Sequence, residues 1–174
     1  KKQFFAASEI LAFKGKTMYD KEGRASGRQM LENMRRTQMT KKEFAELTNG
    51  KILYLDGATG SNLYKAGMPR GVCSEAWIYE NPQALIELQK AYAEAGSDII
   101  YAPTFSANRI SLANHGLEDK VEELNRGLVK ITKDAVGDKC LVAGDLTTTG
   151  KQEIAYEELL EAYTEQIRIL NDAG

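Results

Sequence analysis

From residue 51 onward, short continuous apolar runs alternate with longer stretches in which apolar and polar positions recur with a helical period. Three short runs, at 51–55, 98–102 and 140–143, end next to Gly, Pro or charged residues. Runs of this length are too short for helices, and their continuous apolar character is typical of strands buried on both faces of a parallel sheet. The pattern therefore predicts three buried strands.

Amphipathic helices are predicted after each of these strands. Asn81 and Pro82 are typical N-cap and first-turn residues, and the apolar positions that follow recur every three or four residues until Gly96. The same spacing predicts helices at 117–136 and at about 156–171. Each predicted strand is thus followed by a helix with one apolar face.

Two stretches lie outside this repeat. Thr40 and Glu43 have the spacing of a capping box, which predicts a short helix that ends near Gly50. Residues 63–80 include Pro69 and Gly71 and are predicted to be a long loop between the first strand and the first long helix.

The order strand, helix, strand, helix, strand, helix defines the α/β class. Strand starts lie about 45 residues apart, and each crossover is long enough to connect parallel strands. About three such βα units are less than half of a (β/α)8 TIM barrel, which typically needs about 250 residues. The pattern leaves two architectures open, a small open parallel sheet or the N-terminal part of a barrel.

The charge is unevenly distributed along the 174 residues. The formal net charge is −2, yet residues 1–38 carry a clear excess of Lys and Arg while residues 39–174 carry an excess of Asp and Glu. The boundary predicts a basic N-terminal extension of unknown role at 1–38 and a folded domain at 39–174. The acidic balance of the whole chain gives no electrostatic basis for binding nucleic acid or an anionic membrane.

Cysteine usage and hydropathy indicate the cellular compartment. Cys73 and Cys140 are far apart and form no CxxC pair, as expected in a reducing compartment. No run of 18 apolar residues is present, and the first residues lack the apolar core of a signal peptide. We expect a cytoplasmic protein with no membrane segment.

Polar residues stand at the carboxyl end of each predicted strand. Asp56, Thr104 and Asp145 follow the first, second and third strands, and Gly57 and Gly60 are expected to let the backbone turn sharply and approach a ligand. The carboxyl ends of parallel strands face the ligand crevice, so these positions are candidate ligand contacts. Turn formation or helix capping accounts for the same residue types.

Three motifs in this order resemble those of a known family. They are LDGATGSNL, AGSDIIYAPTFSANRISLANHGLEDK and VAGDLTTTG, and the similarity extends over 41–174. The sequence resembles the homocysteine-binding domain of the homocysteine S-methyltransferases, and within that family it is most similar to the bacterial cobalamin-dependent methionine synthases. Residues 1–38 lie outside the resemblance.

The resemblance implies a fold, a reaction and cofactors. It implies a (β/α)8 TIM barrel in which homocysteine lies at the carboxyl ends of the strands with its thiolate on zinc, which lowers the thiol pKa. The activated sulfur then takes a methyl group, with methylcobalamin as the expected donor and a cobalamin-carrying module as the expected partner. The family's zinc ligands are cysteines late in the barrel, so they are expected in polypeptide beyond this sequence.

The resemblance also implies a substrate cradle. It assigns Asp56 to the ammonium group of homocysteine and the exposed backbone N–H groups of the Asp56 turn to its carboxylate. It further implies substrate contacts by the hydroxyl of Thr104 and at the end of the third strand. The full set of implied substrate-binding residues is Asp56, Gly57, Ala58, Thr104, Asp145, Thr147 and Thr149.

The sequence departs from the family pattern in places that bear on this cradle. Ala102 and Pro103 precede Thr104 where many relatives have Thr-Asn, so some polar contacts are expected to be missing. Cys73 and Cys140 are predicted at opposite ends of the strands, too far apart to share a metal, and are interpreted as structural. His115 is expected to have a capping or surface role.

Two other functions stay open. A Gly-rich turn after a strand can hold phosphate, although this one lacks the GK[ST] and GxGxxG patterns. Alternatively, the chain is a catalytically incomplete barrel fragment that acts only in assembly. In that case the edge of its third strand and the apolar stripe of its last helix predict a marginal or self-associating species. The stripe consists of Leu159, Leu160, Ile167 and Leu170.

Overall fold

The computed structural model describes residues 39–151 and 153–174. The described residues up to Ile52, together with Gly174, belong to one unit, and Leu53–Ala173 form the other. The predicted basic extension, 1–38, lies outside the described residues, so the division into an extension and a domain at 39–174 stays a prediction.

The described part of the first unit contains one helix, α1 (Lys41–Thr48). The Thr40 hydroxyl accepts a hydrogen bond from the Glu43 N–H at 3.2 Å, and the Glu43 carboxylate accepts one from the Thr40 N–H at 2.7 Å. These two bonds satisfy backbone donors that the first helical turn leaves unpaired. The predicted capping box and short helix are confirmed.

The second unit is a mixed α/β structure. Helices and strands follow one another along the chain with two parallel strands among them. The elements are α2 (Gly60–Lys65), α3 (Ser74–Glu80), α4 (Pro82–Glu94), β1 (Ile99–Ala102), α5 (Arg109–Ala113), a 3-10 turn (Glu118–Lys120), α6 (Val121–Val136), β2 (Leu141–Gly144) and α7 (Tyr156–Ala173). Among the described residues, none of these helices has the length and apolar character required to cross a membrane.

The second and third predicted strands are confirmed and pair in parallel. β1 and β2 run side by side with Ile99 opposite Leu141 and Ala102 opposite Gly144. β2 begins one residue later than predicted, because Cys140 lies before the ladder and its thiol donates to the Ser97 carbonyl at 3.0 Å. The parallel register brings the carboxyl ends of both strands to the same edge.

The first predicted strand, 51–55, is wrong as a buried strand. Ile52 and Tyr54 are 79% and 64% exposed, and the segment's only ladder contact among the described residues is a parallel bridge from Leu55 to Ile99. The Asp98 carboxylate accepts the Tyr54 N–H at 2.8 Å, a donor that a regular ladder would pair with a backbone carbonyl. Tyr54 and Leu55 therefore contact the start of β1 without forming an extended strand.

The predicted loop at 63–80 is also wrong, because it contains the second half of α2 and all of α3. Both helices are short, and each places one apolar side chain in the core: Leu63 from α2 and Ile78 from α3. Short helices are marginal in isolation and depend on tertiary packing, which the local pattern does not reveal.

α6 is the central helix of the core. Its buried face includes Val121, Leu124 and Leu128, and it packs against α3, α4 and α7. Gly127 lies under the ring of Tyr79 from α3, so closely that a Cβ on residue 127 would stand 2.3 Å from a ring carbon. A glycine in the middle of this helix is therefore explained by close packing.

The last predicted helix is confirmed and extends to Ala173. α7 buries Ala162, Gln166 and Ile169, whereas Leu160 of the predicted apolar stripe is half exposed. The buried face of α7 thus includes a polar side chain, and the contacts of Gln166 lead to the candidate site.

Candidate functional site

Asp56 lies at the carboxyl edge of the sheet, beside β1. Its N–H donates to the Ile99 carbonyl at 3.1 Å, which continues the contact made by Leu55. Its carboxylate accepts a hydrogen bond from the Tyr101 N–H at 3.3 Å. The backbone of β1 therefore holds the Asp56 carboxylate in place.

Asp145 comes directly after β2 and lies within electrostatic range of Asp56. Burial raises the pKa of the Asp56 carboxyl, the Tyr101 N–H partly opposes this rise, and the negative charge of Asp145 adds to it. Burial also raises the pKa of Asp145, with partial opposition from the Leu146 N–H. Two half-buried carboxylates that repel each other favour a cation between them.

The side chain of Tyr101 shares this environment. Burial raises the pKa of its phenol first, and the charges of Asp145 and Asp56 raise it further. We refer to Asp56, Tyr101 and Asp145 as the strand-end cluster. The cluster combines residues from three segments that are far apart in the sequence.

Thr104 is fully buried, and its hydroxyl is bonded to the backbone of Asp145. The hydroxyl donates to the Asp145 carbonyl at 2.9 Å and accepts from the Asp145 N–H at 3.0 Å. These bonds fix the segment after β1 to the segment after β2. The structure thus uses the Thr104 hydroxyl to position Asp145, whereas the predicted contact with substrate stays a prediction.

Buried amides hold this arrangement from the helix side. The Gln166 side chain of α7 donates to the Thr104 backbone carbonyl at 2.8 Å and to the side-chain oxygen Oδ1 of Asn125 at 3.2 Å. The Gln89 side chain of α4 donates to the Tyr101 carbonyl at 3.1 Å. Helices α7 and α4 therefore support the backbone at Thr104 and at Tyr101.

Gly57 and Ala58 are exposed and follow Asp56. The Tyr92 hydroxyl donates to the Ala58 carbonyl at 3.1 Å, and a Cβ on residue 57 would stand 2.8 Å from that hydroxyl oxygen. Neither Gly57 nor Gly60 has a positive φ, and Gly60 begins α2, so neither position uses the left-handed backbone conformation that favours glycine. A larger residue at position 57 would therefore displace the end of the Tyr92 side chain.

Thr147 and Thr149 line a cavity of about 400 Å³ next to the cluster. The carbonyl of Thr147 accepts from the Tyr163 hydroxyl at 2.6 Å, and that of Thr149 accepts from the Ser111 hydroxyl at 3.3 Å. Asp56, Thr104 and Asp145 do not line this cavity. Its walls are mainly polar and consist of Val72, Cys73, Ser74, Glu75, Phe105, Ser106, Ser111, Asn114, His115, Thr147, Thr148, Thr149 and Gly150.

The sequence of this unit matches a known family over most of its length. Residues 53–174 match the model of the family described as homocysteine S-methyltransferase. The chain belongs to the homocysteine S-methyltransferase family. The resemblance seen in the three motifs is confirmed, and the strand-end cluster lies within the matched residues.

Solved structures share the fold of this chain. The chain is similar to the homocysteine methyltransferase MmuM from Escherichia coli in a metallated form, with a TM-score of 0.64 and 24% identity. It is similar to an oxidized form of the same enzyme with a TM-score of 0.60 and 23% identity. Each alignment covers 75% of this chain and 53% of the other, so the chain spans about half the length of these structures. At this identity, the likeness shows the shared α/β fold.

The described residues do not form a metal centre of the kind that the family resemblance implies. Within 39–151 and 153–174, no three His, Cys, Asp or Glu side chains form a group that could hold a metal ion. The Cys73 thiol lies 3.6 Å from the Glu75 carboxylate, and Cys140 bonds to Ser97. Burial raises the pKa of both thiols, which disfavours the thiolate that a metal needs.

Sequence reasoning missed Tyr101, Glu75 and Gln166. Tyr101 lies in an apolar run in which tyrosine is an ordinary strand residue, so no signal distinguishes it. Glu75 is almost fully buried and accepts the Ser106 N–H at 2.7 Å, yet a glutamate in a first helical turn ordinarily faces solvent. His115 is exposed, as expected for a surface role.

Proposed function

We propose that this chain supplies part of the homocysteine-binding site of a homocysteine S-methyltransferase built as a (β/α)8 barrel. The observation that carries the proposal is the strand-end cluster of a chain of this family: Asp56 is bonded to β1, Asp145 follows the paired strand β2, and the charge of Asp145 reaches Asp56. The parallel pairing of β1 and β2 supports the barrel, because it is the arrangement of neighbouring strands in that fold.

The two carboxylates fit the ammonium group of an amino acid. Both are half-buried and each has a raised pKa, so the ionised pair is unfavourable until a cation offsets its charge. An ammonium group donates three hydrogen bonds, and its positive charge offsets the negative charges of the two carboxylates. Binding therefore lowers the pKa of both carboxyl groups and orients the substrate by its amino end.

The neighbouring groups complete the proposed cradle. Exposed backbone at Gly57 and Ala58 offers N–H donors for the substrate carboxylate, while Thr104 fixes Asp145 in place. Thr147 and Thr149 direct the thiol-bearing side chain towards the adjacent cavity, whose walls they share.

The reaction replaces the proton of the homocysteine thiol with a methyl group. On the sequence resemblance alone, we include methylcobalamin as the donor, carried by a cobalamin-binding module, and zinc as the thiol activator. The described residues of this chain provide no set of zinc ligands, so their proposed role is to bind and orient homocysteine.

A phosphate ligand is less well supported than an amino acid. The glycine turn lies beside Asp56 and within range of Asp145, and two carboxylates repel an anion. The helix that follows the turn, α2, has six residues and only a short row of free N–H groups. The electrostatics of the edge thus favour a cationic group.

Homocysteine affinity tests the proposal in the natural protein that carries this sequence. Isothermal titration would compare the wild type with Asp56→Asn and Asp145→Asn, each of which removes one carboxylate charge while keeping the shape. Loss of a charged hydrogen bond should weaken binding about tenfold or more. Asp134→Asn is the matched control, since Asp134 is exposed on α6 and pairs with Lys130.

The control variant should bind like the wild type. If Asp56→Asn and Asp145→Asn both retain wild-type affinity for homocysteine while the wild type binds it well, the carboxylates do not hold the ammonium group and the proposed cradle is wrong.

A further inference from the structure

The Tyr101 hydroxyl is the one polar group of the strand-end cluster without a role in the proposed cradle. The backbone of Tyr101 is fully used, since its N–H donates to the Asp56 carboxylate and its carbonyl accepts from Gln89. Within the described parts of the chain, its phenol hydroxyl has no hydrogen-bond partner. The hydroxyl is therefore available to a ligand.

Strand geometry places the ring of Tyr101 on the face of β1 opposite its buried neighbours. Ile100 and Ala102 are completely buried, whereas Tyr101 between them is half-buried. Successive side chains of a strand point to opposite faces, so Tyr101 points away from the face on which Ile100 and Ala102 are buried. Its register partner is Ala143, two residues before Asp145, and this small side chain leaves room for the ring.

The phenol is protonated at neutral pH. Burial and the charges of both carboxylates raise the pKa of Tyr101 above the ordinary tyrosine value, so ionisation is even less favourable than usual. A protonated phenol is an uncharged O–H donor. The cluster thus contains two anions and one neutral donor.

An α-amino acid needs this combination of groups. Its ammonium is attracted by Asp56 and Asp145, but its carboxylate, on the same carbon, is repelled by them. A neutral hydroxyl beside the two acids can donate a hydrogen bond to the carboxylate, and it adds no further negative charge.

We propose that the Tyr101 hydroxyl donates a hydrogen bond to the α-carboxylate of the amino acid bound at Asp56 and Asp145. Tyr101 thereby makes the site selective for α-amino acids over simple amines. This inference rests on the proposed homocysteine site and adds to the backbone donors of Gly57 and Ala58. The hydroxyl then binds the α-carboxylate of the substrate, and the two neighbouring carboxylates bind its ammonium group.

The test compares two ligands that differ in one group. Homocysteine and 3-aminopropane-1-thiol share the amine and the thiol, but only homocysteine has the α-carboxylate. Isothermal titration in the natural protein that carries this sequence would use wild type, Tyr101→Phe and Asp56→Asn. Tyr156→Phe is the matched control, because Tyr156 is exposed at the start of α7.

Tyr101→Phe should weaken homocysteine binding about tenfold and leave the affinity for 3-aminopropane-1-thiol within about twofold, since only one ligand loses a charged hydrogen bond. Asp56→Asn should weaken both ligands, and Tyr156→Phe neither. Equal weakening of both ligands by Tyr101→Phe, or of neither, would overturn the role of Tyr101 while leaving the homocysteine site intact. A wild-type protein that does not bind homocysteine would overturn both proposals.

Discussion

Replacing Thr104 with valine tests how the two strand ends are held together. Valine has nearly the same shape as threonine but lacks the hydroxyl that donates to the Asp145 carbonyl and accepts from the Asp145 N–H. Thr104 is fully buried, so water cannot easily take the place of the lost hydroxyl. The variant therefore leaves two backbone groups of Asp145 without their partner.

The expected loss of stability follows from these two bonds. A buried polar group left unpaired costs about 1–3 kcal/mol, and Asp145 is only half-buried, so each group should cost a value near the lower end. We expect Thr104→Val to lower the free energy of unfolding by about 2–4 kcal/mol. Thr104→Ser keeps the hydroxyl and loses one methyl group, which should cost about 1 kcal/mol.

Urea unfolding followed by circular dichroism would measure the difference between the two variants. The slope of the transition should be the same for both, because the surface exposed on unfolding is unchanged, and only the midpoint should move. If Thr104→Val is as stable as Thr104→Ser within about 0.5 kcal/mol, the Thr104 hydroxyl does not link the strand ends.

Three further predictions concern packing, pH and thiol reactivity. Gly127→Ala should destabilise the wild type by about 1–3 kcal/mol because its Cβ meets the Tyr79 ring, but it should stabilise a Tyr79→Ala background by up to about 1 kcal/mol. Urea unfolding of the wild type, the two single variants and the double variant checks this change of sign. Additive effects of the two substitutions would contradict it. Because burial raises the pKa of Asp145, the contribution of this carboxyl to stability is full below its ordinary pKa of 3.8 and is lost as pH rises through the raised pKa of the folded state. The stability of the wild type relative to Asp145→Asn should therefore fall over that pH interval. A difference in the free energy of unfolding that stays constant with pH would refute this. Cys73, which is 9% exposed with a raised pKa, should react with iodoacetamide far more slowly in the folded protein than in urea, and equal rates by mass spectrometry would show that it is accessible.

Elements defined by local chemistry could be predicted from the sequence. The Thr40–Glu43 capping box depends on residues three positions apart, and the two strands that pair, β1 and β2, are continuous apolar runs with clear ends. The segment at 51–55 has the same apolar pattern, but the Asp98 carboxylate takes up its Tyr54 N–H. That contact joins residues 44 positions apart and has no local signal.

In the candidate site, too, features with a local sequence signal could be predicted, whereas long-range contacts could not. The strand-end rule predicted Asp56 and Asp145 at one edge of the sheet, because parallel register follows from the order of strands and helices, and the charge of Asp145 does reach Asp56. It did not anticipate that the Thr104 hydroxyl would form hydrogen bonds with the backbone of Asp145. Nor did it anticipate that the Thr104 carbonyl would accept a hydrogen bond from Gln166, which lies 62 residues further along the chain. Such contacts depend on how helices pack behind the sheet, and an amphipathic pattern does not specify the partner of a buried polar residue.

The close contact between Gly127 and Tyr79 has an evolutionary consequence. Residue 127 cannot gain a side chain freely while Tyr79 is kept, because that side chain needs the space that the Tyr79 ring occupies. Mutational histories that enlarge residue 127 should therefore first pass through a smaller residue 79. Across divergent sequences, the two positions should covary, so that a bulky residue is found at one of them but not at both.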